Sequence, residues 1–188
     1  MKNLLIFLII FNIGCSQQQI KEKLKDVYYT KIHIPTNLIT IRNGIVSDDI
    51  SSEAVYLAKL LIYFSSEGCT PCKVSHISDL DTLFNMGLGI NRFTPQVIIS
   101  PSPKQFEDII TQVKFQNHDY PIYVDKDSKF RQLNHHLPDD TRYHTFLLDK
   151  NNRVVLVGNP LTSDAMWSLF KSTLDNMLAH DGVYVPEK

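Results

Sequence analysis

LAKLLIYFSSEGCTPC, residues 57–72, is the stretch that decides how this chain is read. Leu60 to Phe64 is an unbroken apolar run, the pattern of a strand buried on both faces in the middle of an α/β sheet. It leads through Ser65, Ser66, Glu67 and Gly68 into Cys69-Thr70-Pro71-Cys72. Pro71 lies where the first turn of a helix accepts a proline, because an N–H missing there costs no intrahelical bond. Val74, Ile77, Leu80, Leu83 and Phe84 then recur at three-to-four spacing as far as Gly87, so one helix is expected to start at the cysteines.

A thiol pair so placed has a definite chemistry. Cys69 would lie at the helix N-terminus, where unpaired N–H groups and the dipole favour the thiolate, the form that attacks a disulfide sulfur. Cys72, one turn on and expected to be the less exposed, would resolve the mixed disulfide. Thr70 and Pro71 shape the motif, Thr70 by being small enough to leave Cys69 open and Pro71 by fixing the turn. A disulfide across two residues adds little constraint to an unfolded chain, so its use is expected to be chemical. Structural zinc wants four ligands, and a single CxxC supplies two. Copper(I) accepts two thiolates and an imidazole, with His76, His118, His135, His136 and His144 available, so a copper(I)-binding chaperone-like module is one alternative. A non-catalytic binding domain that merely keeps the pair is another. No further cofactor is expected.

Working outward, the order is β-α-β-α-β. Gln96–Ser100 reads as a strand, Ser102-Pro103 opens a helix to about Phe115, and Pro121–Val124 is a third strand. Ser128–Leu137 reads as a short helix. Thr145–Leu148 and Arg153–Val157 form a hairpin across Asp149-Lys150-Asn151-Asn152, and an amphipathic helix follows from Ser163 to Leu178, with Trp167, Leu169 and Phe170 on its packed face. Upstream, Val27–Ile34 alternates like a strand, and Asn43-Gly44 marks a turn of a small N-terminal hairpin.

The first fifteen residues differ from all of this. Lys2, the apolar Leu4–Phe11 and Asn12-Ile13-Gly14-Cys15 read as an export signal, with Gly14-Cys15 similar to a bacterial lipobox and Cys15 the lipidated residue. The expected organisation is a signal peptide over 1–15, a polar tether over 16–26 and a domain over 27–188, lipid-anchored in the bacterial cell envelope and facing the periplasm or exterior. Setting Cys15 aside leaves Cys69 and Cys72 to pair with each other. A net charge of -1, with 43% hydrophobic and 21% charged residues, fits a folded domain and gives no footprint for nucleic acid. A peroxidatic Pro-x-x-x-Thr-x-x-Cys pattern does not occur.

Cys69–Lys73 after its strand, Tyr120-Pro121-Ile122-Tyr123-Val124-Asp125, Thr145-Phe146-Leu147-Leu148-Asp149 and Val154–Gly158 together resemble the TlpA/ResA-like thioredoxins over about residues 50–180. The resemblance implies a thioredoxin-like three-layer α/β fold with a central mixed sheet. It also implies thiol-disulfide exchange with client protein disulfides or thiols, aided by a redox partner. Two positions depart from it. Gly68 stands where the family has Trp, and Tyr143 stands where it has its cis-proline. A cis bond before a non-proline costs about 2.5–4 kcal/mol, so a trans peptide and a more open motif are expected at Tyr143. His144 beside it is a candidate copper ligand or thiolate partner, although a His on a strand edge is more often a satisfied polar side chain. In the family a buried acid often assists the second cysteine; the strand lacks one, leaving Glu53 as a candidate.

Overall fold

The computed structural model describes residues 22, 24–47, 57–67, 70–89 and 92–186. Cys15, Glu53, Gly68 and Cys69, with the expected signal peptide and most of the tether, lie outside them. The sheet has seven strands: β1 (Ile39–Arg42), β2 (Ile45–Ser47), β3 (Ala58–Phe64), β4 (Thr94–Ile99), β5 (Ile122–Val124), β6 (Thr145–Asp149) and β7 (Val154–Val157). Their order is β2-β1-β5-β4-β3-β6-β7. β3, β4 and β5 run parallel, with Phe64, Ile99 and Val124 in register at their C-terminal ends. β6 pairs antiparallel with β3, and β7 with β6. The apolar run therefore takes the central place expected of it, since only a strand flanked on both edges and both faces can be apolar throughout.

The helices are α1 (Thr70–Ser75), α2 (Asp81–Gly89), α3 (Phe106–Gln116), α4 (Lys129–Leu133) and α5 (Asp164–Ala179). Leu60 and Ile62 of β3 point to one face, where Val74, Phe84, Val113 and Phe170 bring in α1, α2, α3 and α5. Leu61 and Tyr63 point to the other, against Phe130 of α4 and Val27, Ile32 and Leu38. This alternation makes a sheet with apolar layers on both sides.

The single helix expected after the cysteines is in fact three pieces. α1 ends at Ser75, a 3-10 turn covers Ile77–Leu80, and α2 begins at Asp81. The apolar spacing survives because Val74, Ile77, Leu80, Leu83 and Phe84 are all buried against the same layer. Val27–Ile34 is not a strand. Residues 24–27 are helical, residues 28–29 turn, and the segment meets the sheet edge at one isolated bridge, Lys31 to Arg153, where the Tyr29 amide donates to the Val154 carbonyl and the Val154 amide to the Thr30 carbonyl. Its apolar residues bury singly on the second face, so alternation here reflects burial without a ladder. The N-terminal hairpin is real: Arg42 pairs with Ile45 across Asn43-Gly44, whose φ values of 50° and 69° suit a two-residue hairpin turn. On α5, Phe170 is buried while Leu169 is exposed, one residue round the helix.

Candidate active site

α1 follows the C-terminal end of the central strand β3, at the edge where the parallel strands β4 and β5 also end. Thr70 is fully buried, and its hydroxyl donates to the Ser65 carbonyl at 3.3 Å. Val74, one helical turn on, is buried too. Cys72, two residues from each, is turned to the opposite side and is exposed. Thr70 anchors the helix, and Cys72 is turned outward; Cys69, the thiol expected to be the more exposed of the two, lies outside the described residues. Cys72 is disulfide-bonded, and the other two cysteines of the chain, Cys15 and Cys69, lie outside the described residues.

A groove of about 640 Å³ opens with Lys73, the residue after Cys72, and His76 on one side and Arg142, His144 and Leu161 on the other. Ile62, Phe64 and Leu80 form part of its lining. Lys73 donates to the backbone carbonyl of Glu67 at 2.9 Å, so the flanking pair meets through backbone and not as an ion pair.

The far wall is formed by Thr141, Arg142, His144 and Thr145, the neighbours of Tyr143. Thr141–Tyr143 is a 3-10 turn capped by Asp140, whose carboxylate accepts from the Arg142 amide and guanidinium; the guanidinium holds that carboxyl below its usual range. None of the described peptide bonds is cis, that before Tyr143 included. The turn delivers His144 inward, where it is 3% exposed. Its Nε2 lies 2.7 Å from the Pro138 carbonyl, which can only accept, so Nε2 carries the proton. Nδ1 is buried without a hydrogen-bond partner. Burial pushes the imidazole pKa below its ordinary value, favouring the neutral ring. Neither sequence reading of His144 is quite met: it is half satisfied, with one lone pair free. Of the other histidines, only His76 joins His144 at this groove. Among the described residues, no group of three or more His, Cys, Asp or Glu side chains is arranged to hold a metal ion.

Sequence reasoning missed two residues that hold α1. Gln112 and Gln116, one turn apart on α3, donate to the carbonyls of Pro71 and Val74 at 3.2 and 2.9 Å. Their spacing puts them on one face, yet nothing local says that α1 lies opposite.

No family model matches the chain, and no curated protein matches it. Among solved structures it is similar to a hypothetical protein from Sinorhizobium meliloti, at 14% identity over 84% of this chain and 90% of that one, with a TM-score of 0.52. It is similar to AhpC of Enterococcus faecalis, at 11% identity over 86% and 99%, TM-score 0.51. An uncharacterized thioredoxin-like protein from Porphyromonas gingivalis has 14% identity over 80% and 95%, TM-score 0.44. The mixed sheet, with β3, β4 and β5 parallel and β6 and β7 antiparallel beside them, makes the fold thioredoxin-like. At these identities the likeness reaches no further than the fold. Among the described residues, no helix is long and apolar enough to cross a membrane.

Proposed function

We propose that this chain is an extracytoplasmic thiol-disulfide oxidoreductase of TlpA/ResA-like character, working through Cys69 and Cys72. One observation carries the reading. Cys72 is disulfide-bonded on the exposed face of α1, the helix that follows the central strand of a thioredoxin-like sheet and whose Lys73 lines an apolar groove. In the reducing direction, the Cys69 thiolate attacks one sulfur of a client disulfide, that S–S bond breaks, and a mixed disulfide forms. Cys72 as thiolate then attacks the Cys69 sulfur and releases the second client thiol. Two electrons pass to the client, and the Cys69–Cys72 disulfide remains.

Cys72→Ser should accumulate the mixed disulfide with a model client, while Cys69→Ser should lose exchange. Insulin reduction by Cys69→Ser at the parent rate would overturn the reading. With it goes the proposal that Cys15 carries lipid, supported by Gly14-Cys15 at the end of the apolar leader; Cys15→Ser should then leave the membrane fraction.

A second reading, a copper(I)-binding module, is favoured by the free Nδ1 of the neutral His144. Soft thiolates with one imidazole suit that ion. If it holds, His144→Phe should weaken copper(I) retention against a competing chelator, and Tyr143→Pro should weaken it while speeding insulin reduction.

A further inference from the structure

α1 has six residues, so its carbonyls need donors from outside the helix repeat. Each of the four from Pro71 to Val74 has one. Gln112 Nε2 donates to Pro71 O at 3.2 Å, the Ser75 hydroxyl to Cys72 O at 2.7 Å, the His76 amide to Lys73 O at 3.2 Å, and Gln116 Nε2 to Val74 O at 2.9 Å.

The last of these fixes a longer chain of atoms. A carbonyl only accepts, so Gln116 must present its nitrogen to Val74 and its Oε1 the other way. That Oε1 lies 3.3 Å from His118 Nε2 and also only accepts, so Nε2 must carry a hydrogen. His118 Nδ1 stands 3.3 Å from Asp81 Oδ1, which already accepts from the Tyr120 hydroxyl at 2.6 Å. A carboxylate oxygen accepts only, so Nδ1 must carry a hydrogen as well. Both ring nitrogens are donors, and the arrangement is complete only for the imidazolium.

The His118 side chain is 5% exposed and stacked at 5.0 Å on the Tyr120 ring. The charged groups that act on it are Asp81 from α2 and its neighbour Asp119, both favouring the cation. From β1, Arg42 spends its guanidinium on the Asp119 carbonyl. Burial opposes the cation and outweighs them, leaving the pKa below the ordinary imidazole value. A His118 that loses one proton keeps the other on Nδ1, against the carboxylate, which is the stronger acceptor. Its bare Nε2 then faces Gln116 Oε1, acceptor against acceptor. The amide must turn, and the Val74 carbonyl loses its donor.

We propose that Gln116 and His118 are positioning residues for the cysteine helix: protonated His118 holds the Gln116 amide on the Val74 carbonyl, and deprotonation releases it. The consequence for the sulfurs rests on the redox reading above; the clasp itself does not.

The test is an NMR titration of the imidazole nitrogens and the Val74 carbonyl carbon in the oxidised full chain. Gln116→Met removes the acceptor and should lower the His118 pKa by about one unit, the tenfold change expected for one hydrogen bond to a charged group. Gln116→Glu supplies a stronger acceptor and should raise it by a similar amount. The Val74 signal should follow the His118 midpoint in the parent and stay flat in both variants. A His118 midpoint that neither substitution moves, or a Val74 signal that ignores it, overturns the clasp. The reduction potential plotted against pH should break at the same midpoint, and lose that break in His118→Phe. A chain without a reversible potential would sink the redox reading while the NMR arm still decides the clasp. A measurable potential with no break overturns the positioning role.

Discussion

α1 and α5 pack against the same face of the sheet and are held in opposite ways. α5 has 16 residues and carries its own ends: Ser163 at its start accepts from the Met166 amide, and Gly182 beyond its end, at φ +78°, donates to the Met177 carbonyl. It buries Phe170, Thr173, Leu174 and Met177 on one stripe. α1 has six residues, buries Thr70 and Val74, and takes the donors for two of its carbonyls, those of Pro71 and Val74, from α3. A helix that short does not stand alone in water. α5 therefore stabilises the fold, whereas α1 is stabilised by it, and a segment of the second kind opens locally at less cost than global unfolding. The exposed Cys72 is on the second kind.

The comparison breaks most visibly at Phe170, whose ring meets Phe93 edge-on at 5.7 Å. Phe170→Ala should cost about 3–5 kcal/mol in urea unfolding and leave the thiol reactivity of the folded protein unchanged. A loss below about 1 kcal/mol would mean that α5 does not carry the fold.

A second measurement concerns the groove wall facing α1. His144 has its folded pKa lowered by burial, so below the ordinary value of about 6.5 the unfolded chain binds a proton that the native state does not. His118 and His136 are shifted the same way. Stability should therefore fall as pH drops below about 7, by up to about 1.4 kcal/mol per pH unit for each group, until the folded pKa is reached. Urea midpoints from pH 7.5 to 5 should show a shallower decline in His144→Gln. An unchanged slope would remove His144 from the account.

Smaller still, Ser163→Ala should cost α5 about 1 kcal/mol, read from the same unfolding curves. Gln112→Met should change global stability by less than about 1 kcal/mol, yet speed hydrogen exchange of the α1 amides and leave those of α5 as they were. Equal acceleration in both helices would erase the distinction between them.

Much of this was legible residue by residue. The Leu60–Phe64 run is central because its apolarity demands cover on all sides. Asn43-Gly44 turns a hairpin because both residues tolerate positive φ. Val27–Ile34 misled because its first residues close a helix and turn at residues 28–29, so the backbone bonds it makes to Val154 and Asn152 amount to one isolated bridge and not a strand. The helix after the cysteines misled because apolar spacing records which side is buried and is indifferent to a break at His76. The outward turn of Cys72 was not legible because exposure in a short helix follows its anchor, and the partner of Thr70 is the Ser65 carbonyl, which no pattern announces.

By itself the sequence determined which segments could be strands or helices, where turns were possible and that a spaced thiol pair follows a buried strand. These are properties of backbone sterics and of apolar periodicity, which neighbours along the chain settle between them. Only the tertiary structure decided that β1 lies beside β5, that Cys72 faces outward, that His144 keeps one nitrogen unpaired, and that Gln116 stands between Val74 and His118. The pairing of β1 with β5 and the reach of Gln116 to Val74 join groups far apart in sequence, and even the short-range contacts of Thr70 with Ser65 and of His144 with Pro138 become fixed only once the layers are packed.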